Sequence, residues 1–370
     1  YWGRAGWGEG YVIPVSEQLR LWSNDNYGQD LVIAPRGGPI FYWKDSTGVS
    51  IHAKYLSNFV DELRAYQGAQ VGIYVIAISS IILLTGYSGQ ISLGHGALMA
   101  IGGYSAVLSY SHWHLPMLLA FTFGALVAAL SGFILGMAAA RLSGPYLAGS
   151  TLALAVGLPS LANQFHLLGG EQGLSFDIGN APTWITNKVG SDFSQYKWFF
   201  WISVTCTLFT MWFIKNLLQS RYGRTWRAVR GNSTAAALSG INIGRTKVLA
   251  FTVSSALAGL AGSLLAMLLG LVAPMAFTLA LSFTLVTGAV LAGVTNLAGS
   301  IAGAVVLVVI PEITDAVATH LGGSEKITAN LPGLITSALL ILTVIFAPNG
   351  PQLHIRKKSG DTEKTKKENR

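Results

Sequence analysis

Apolar stretches long enough to cross a bilayer recur between about Gln70 and Ala347, separated by short polar or glycine-rich runs. A helix needs roughly 20 mostly apolar residues to span the hydrocarbon core. The pattern therefore predicts an all-α membrane protein, a polytopic helix bundle of about eight spans. Tyr146 to His166 contains Pro159 and is expected to kink there, because proline removes a backbone donor and crowds the preceding turn. Leu279 to Val317 is too long for one crossing and divides at Gly293 to Ser300. Small residues fall at helical spacing: Ser255, Gly259 and Ser263 in one row, Ala258, Gly262 and Ala266 in a second, Gly299 and Gly303 in a third. Such rows let helix backbones approach closely in lipid, so bundle packing is their expected role.

Composition agrees with this pattern. Of 370 residues, 51% are hydrophobic and 11% charged, and the mean hydropathy is +0.50. A soluble domain carries about 25% charged residues. The short alternating segments of a β-barrel are absent from the sequence. Three regions follow. Residues 1–66 are polar, mixed in composition and not transmembrane, with a turn at Gly37, Gly38 and Pro39; no fold is assigned to them. Residues 67–350 form the transmembrane domain. Residues 351–370 are a lysine-rich tail, expected to be disordered.

Charge sets an orientation. If the basic loop 219–247 is cytoplasmic, alternation places Arg141 and the tail on the same side, and these regions hold most of the 24 Lys and Arg. Most acids fall on the opposite side. The C-terminus is therefore expected in the cytoplasm and residues 1–66 outside it. The net charge of +8 follows the membrane rather than a nucleic acid partner. The chain begins at Tyr1, not Met, and shows no secretory signal, so it reads as processed or truncated; any earlier span would begin in the cytoplasm. The one cysteine, Cys206, lies in an apolar stretch and can form no internal disulfide.

The strongest chemical signal is the run Gly86 to Tyr104, with six glycines, Gln90, Ser88, Ser92 and His95, between two apolar stretches. Irregular polar backbone at membrane depth is tolerated where it is buried in protein or lines a cavity. Substrate-path candidates are Ser88, Gly89, Gln90, Ser92, Gly94, His95 and Gly96. Glycines here weaken the helix, and the start of a new half-helix offers amides and a partial positive end to a carboxylate. His95 is the ionisable group of the motif; the blander reading makes it a satisfied buried polar residue.

A second signal is the basic segment Ser220 to Lys247, where arginines alternate with helix formers and glycine breaks. Ala228-Val229 and Ala235 to Leu238 predict short helices. The segment reads either as a docking element for a cytoplasmic partner or as a charged connector. The polar stretch Gly169 to Tyr196 carries Glu171, Asp177 and Asp192 on the expected outer side. No Gly-x-x-x-x-Gly-Lys-Ser/Thr pattern occurs, so the chain is not expected to hydrolyse ATP. Neither a Cys/His metal spacing nor a Gly-x-Ser-x-Gly elbow occurs. No metal site and no cofactor are assigned.

Gly86-Tyr-Ser-Gly-Gln-Ile-Ser-Leu-Gly-His-Gly-Ala resembles the signature of LivM-type permeases, the membrane subunits of branched-chain amino acid ABC importers. Arg141-Leu-Ser-Gly-Pro-Tyr-Leu-Ala, Thr151-Leu-Ala, Gly169-Gly, Gly223-Arg-Thr-Trp-Arg-Ala-Val-Arg, Gly240-Ile-Asn and Phe346-Ala-Pro-Asn-Gly continue the resemblance in order, over about residues 68–351. It implies a multi-pass permease in a bacterial inner membrane, surrounded by lipid. It implies as partners a homologous second permease subunit, two cytoplasmic ATPase subunits that use the ATP, and an extracytoplasmic solute-binding protein. The ATPase-coupling loop would be carried by Gly223, Arg224, Arg227, Arg230, Ala235, Ala236 and Gly240. The chain departs from the family pattern at Ser233 and Ala237, where glutamates are usual, and in its N-terminal 66 residues. An importer for urea, short amides or aromatic acids is an alternative in the same class. A secondary transporter coupled through His95 and a non-conducting scaffold are alternatives from other classes.

Overall fold

The computed structural model describes residues 22–27, 30–35, 41–43, 54–55, 57–142, 144–176, 195–293 and 295–320, with positions 335 and 338. The chain divides into two compact units, Tyr1–Arg64 and Ala65–Arg370. The expected apolar stretch 331–347 apart from positions 335 and 338, the tail, Asp177 and Asp192 lie outside the described residues, as does the turn at Gly37 to Pro39.

The first unit contains an antiparallel meander of four strands: β1 (Trp22–Tyr27), β2 (Asp30–Pro35), β3 (Phe41–Trp43) and β4 (Lys54–Tyr55), in sequence order. β1 and β2 form a hairpin closed by the Tyr27–Asp30 pair.

The second unit is helical. Its elements are α1 (Ser57–Ile81, starting in the first unit), a π-helical turn (Ile82–Tyr87), α2 (His95–Trp113), α3 (Met117–Arg141) and α4 (Pro145–Gln164). There follow α5 (Gln195–Gln219), α6 (Arg221–Gly231), α7 (Ser233–Leu238), α8 (Ile243–Leu269), α9 (Leu279–Ala292) and α10 (Gly299–His320). Among the described residues, five helices are long and apolar enough to cross a membrane: Glu62–Tyr87, Met117–Arg141, Gln195–Gln219, Ile243–Leu269 and Pro274–Ala292. Helices α2 and α4 occupy two further expected crossings; the glycines, serines and histidines of α2 dilute its apolar character. The break expected between Gly293 and Ser300 is present between α9 and α10. Pro159 sits inside α4.

The centre of the bundle is α8 packed between α2 and α3. Small-residue rows make this packing possible. On α3, Gly124, Ala128, Gly132 and Gly136 are buried at four-residue spacing, whereas Leu126, Leu130 and Ile134 beside them are exposed. This row lies against the α8 row: a side chain at Gly132 would strike Ser255, and one at Gly259 would strike Ala128. The other α8 row faces α2, where Gly262 abuts the Met99 carbonyl. Ser263 Oγ donates to the carbonyls of Gly102 (3.1 Å) and Gly259 (2.8 Å), so its hydroxyl is satisfied without opening the contact. Gly303 of α10 lies against the Gly288 carbonyl of α9. The rows expected from spacing thus serve packing, as close approach in lipid requires. At the far end of α8, β5 (Leu174–Ser175) pairs with β6 (Leu271–Val272), tying the segment after α4 to the end of α8.

Candidate functional site

The Gly86 to Gly96 run forms the reversal between α1 and α2. Helix α1 widens into a π-helical turn at Ile82–Tyr87, and residues 88–94 are non-helical before α2 starts at His95. Gly89 takes φ +73°, a left-handed conformation that explains glycine at that position. The turn holds itself together: Ser88 N–H donates to the Leu83 carbonyl (3.2 Å), Gln90 N–H to Leu84 (3.1 Å), and Thr85 Oγ1 to the Gln90 carbonyl (3.1 Å).

The structure separates the predicted path residues into two groups. Ser92, Gly94, His95 and Gly96 are buried in helix packing. Gly94 lies against the Thr151 backbone. His95 Nε2 is 3.0 Å from Ser254 Oγ, which donates to the Ser80 carbonyl (2.8 Å). The backbone amides of Leu93, Gly94 and Gly96 donate to hydroxyls of Thr151 (3.0 Å), Ser92 (3.4 Å) and Ser282 (3.0 Å). The donors that sequence offers to a carboxylate are therefore occupied by the protein's own side chains here. Thr151, Ser254 and Ser282 come from three other helices and were not singled out for this role by spacing.

Ser88, Gly89 and Gln90 instead border a cavity of about 570 Å³. Its opposite wall is built by Val229 and Arg230 of α6, Ser233 of α7 and Lys247 of α8. Leu142 and Gly144, from the turn between α3 and α4, and Leu147, in the first turn of α4, add to it. The two strongest sequence signals are thus neighbours in space. Gln90 Nε2 donates to Ser88 Oγ (2.7 Å) and to the Lys247 carbonyl (3.2 Å), and its Oε1 has no partner among the described residues. Arg230 Nη1 donates to the Gly86 carbonyl. Tyr87 Oη donates to the Thr295 carbonyl (2.7 Å).

The basic segment forms helices with ordered caps. Ser220, Asn232 and Asn242 precede α6, α7 and α8, and each side chain accepts a first-turn amide. Gly240 ends α7 at φ +82°. On α6 two rows alternate at three-residue spacing. Gly223, Trp226 and Val229 are buried, and Arg221, Arg224, Arg227 and Arg230 are exposed. Trp226 is 1% exposed and donates through Nε1 to the Thr246 carbonyl (3.1 Å). Gly223 lies against the Leu218 backbone. Arg227 is spent locally, on the carbonyls of Leu218 (2.7 Å) and Gly223 (3.1 Å), at the C-terminal end of α5 where a cation is favoured. Arg224 reaches the Gln219 carbonyl (3.3 Å). Ala236 is buried, Ala235 and Gly240 are exposed, and Leu238 is 87% exposed. Lys247, Leu142 and Thr295 were not among the expected site residues; tertiary placement brings them to the cavity.

Comparison with known proteins supplies the context. A family model described as branched-chain amino acid transport system / permease component matches residues 66–344. The high-affinity branched-chain amino acid transport system permease protein LivM of Salmonella typhimurium is 30% identical over 310 residues, covering 77% of this chain and 70% of that protein. LivH of the same organism is 28% identical over 197 residues, covering 53% and 54%. The fructose import permease protein FrcC of Rhizobium meliloti is 28% identical over 257 residues, covering 68% of each chain. No solved structure matches.

Proposed function

The chain belongs to the branched-chain amino acid transport system permease family, and on that premise we propose that it carries branched-chain amino acids or similar small polar solutes across the inner membrane into the cytoplasm. It is a multi-pass transport subunit and not an enzyme. Its likeness to both LivM and LivH supports a homologous second permease as partner. Two ATPases on the cytoplasmic side and an outer solute-binding protein complete the assembly. The α6–α7 segment then lies in the cytoplasm, together with the C-terminus.

The observation that carries this reading is the hydrogen bond from Arg230 of α6 to the Gly86 carbonyl, at the π-helical end of α1. It joins the basic segment directly to the helix break. ATP binding in the partners would displace α6 and α7. Trp226 would pass that displacement to α8, and Arg230 to the end of α1, so that the reversal at residues 88–94 shifts with them. Ser88, Gly89 and Gln90 border the passage that opens, and the buried hydroxyl–amide bonds around Ser92 to Gly96 keep α2 in register. Such a cycle is a population shift driven by differential contacts in the two states. FrcC, similar in sequence, is named for fructose import, which supports testing solutes other than leucine, among them urea, short amides and aromatic acids.

The test is uptake of labelled leucine by cells with and without the chain, with ATP depletion and collapse of the ion gradient as separate arms. Uptake that falls with loss of the chain and with ATP depletion alone supports the reading. Uptake abolished by gradient collapse at constant ATP rejects it. In parallel, Arg224→Glu is expected to reduce ATPase co-purification; undiminished co-purification removes Arg224 from the docking surface.

A further inference from the structure

The cavity beside the reversal has a charge pattern that the transport cycle alone leaves unused. Arg230 and Lys247 both border it, and no Asp or Glu among the described residues does. Thr85, Ser88, Ser233 and Thr295 add hydroxyls, while Ile91, Leu142, Leu147 and Val229 make the rest of the wall aliphatic. A wall that carries Arg230 and Lys247 and, among the described residues, no acid favours an anion, and a guanidinium favours a carboxylate, which it can grip through two parallel bonds. Arg230 commits Nη1 to the Gly86 carbonyl. The volume of about 570 Å³ lies within the roughly 300–1,000 Å³ of small-molecule sites.

We propose that this cavity binds a short aliphatic carboxylate from the cytoplasm, and that the bound anion slows the transport cycle by bridging Arg230 of α6 to Lys247 of α8. The bridge clamps the docking helix to the centre of the bundle, so accumulated cargo, or its α-oxo acid, restrains further import. The side of the membrane and the meaning of α6 rest on the permease reading above.

The experiment uses the complete transporter in phosphatidylcholine proteoliposomes, ATPases outward, with binding protein and leucine sealed inside. Leucine, its α-oxo acid or leucinamide is added on the ATPase side, and ATP hydrolysis and leucine export to that side are both followed. Leucine and the oxo acid are expected to inhibit hydrolysis, and leucinamide, which lacks the carboxylate, is not. Inhibition by the oxo acid alone assigns the site to the deaminated product. Lys247→Gln should raise the half-inhibitory concentration about tenfold, the loss of one charged hydrogen bond. Leu147→Trp, which fills the cavity without touching charge, should abolish inhibition. ATP-driven transport with no inhibition by either carboxylate overturns the site and leaves the permease reading standing. An inhibition curve unmoved by both variants, equal inhibition by leucinamide, or a response that follows replacement of phosphatidylcholine by phosphatidylglycerol also overturns it. No transport by the parent rejects the permease reading, and the site falls with it.

Discussion

Gly262 and Gly157 are both glycines in apolar helices, yet their surroundings differ completely. A Cβ at Gly262 would collide with the Met99 backbone, whereas among the described residues nothing lies within 4 Å of one at Gly157. Backbone cannot rotate away as a side-chain end can, so overpacking at position 262 should exceed the usual range of about 1–3 kcal/mol. Gly262→Val is expected to eliminate the monodisperse species on size-exclusion chromatography in detergent. Gly157→Ala removes a flexible residue from a helix interior and should change stability by no more than about 1 kcal/mol, on the stabilising side. Equal thermal stability of the two variants would show that α2 and α8 are not in backbone contact. Spacing exposed the α8 rows but does not separate them by partner. The sequence pattern Gly124, Ala128, Gly132, Gly136 on α3 is equally regular, and the same search extended to α3 would have found it.

At the scale of elements, α6 shows how a charged loop becomes a lever. Its buried row of Gly223, Trp226 and Val229 is apolar or small, and its arginines lie on the remaining surface. Docking against α8 depends chiefly on Trp226. Trp226→Ala removes a fully buried ring, at a cost of about 3–5 kcal/mol, and should make residues 220–247 sensitive to limited proteolysis while the membrane helices stay intact. Trp226→Phe keeps most of the packing and loses the bond to Thr246, about 1 kcal/mol, so it should resist the protease nearly as well as the parent. Identical cleavage of all three would mean that α6 is not held by this face. Arg230→Gln tests the link to α1: uptake should fall severalfold while ATPase co-purification persists, because the docking surface is retained and the Gly86 contact is weakened. A loss of both together would place Arg230 in docking instead. The short helices were legible because alanine and capping residues act locally. The occupation of the Leu93 and Gly96 amides by Thr151 and Ser282 was not, because those hydroxyls arrive from segments 58 and 186 residues away.

For the whole molecule, periodicity and length give the helical class and most helix positions, because lipid admits few alternatives for an apolar chain. They do not give the meander in residues 22–55, whose strands mix polar and apolar positions without a clean alternation. Nor do they place the polar run in depth. A glycine-rich break between two apolar stretches reads equally as a midmembrane discontinuity or as a reversal at one end, and the Arg230–Gly86 bond decides for the end that carries α6. This makes orientation testable with the chain's own single cysteine removed. On a Cys206→Ala background, Leu238→Cys and Met275→Cys place thiols at sites 87% and 77% exposed, on α7 and in the turn between α8 and α9. α8 separates them, so they lie at opposite ends of the bundle. In cells expressing the chain without ATPases to cover α7, a membrane-impermeant maleimide should label position 275 from outside and position 238 only in inside-out vesicles. The reversed pattern would put the basic segment outside. Arg221, Arg224, Arg227, Arg230, Arg245 and Lys247 would then oppose the usual distribution of cations across the membrane, and neither the ATPase coupling nor the cytoplasmic carboxylate site could stand.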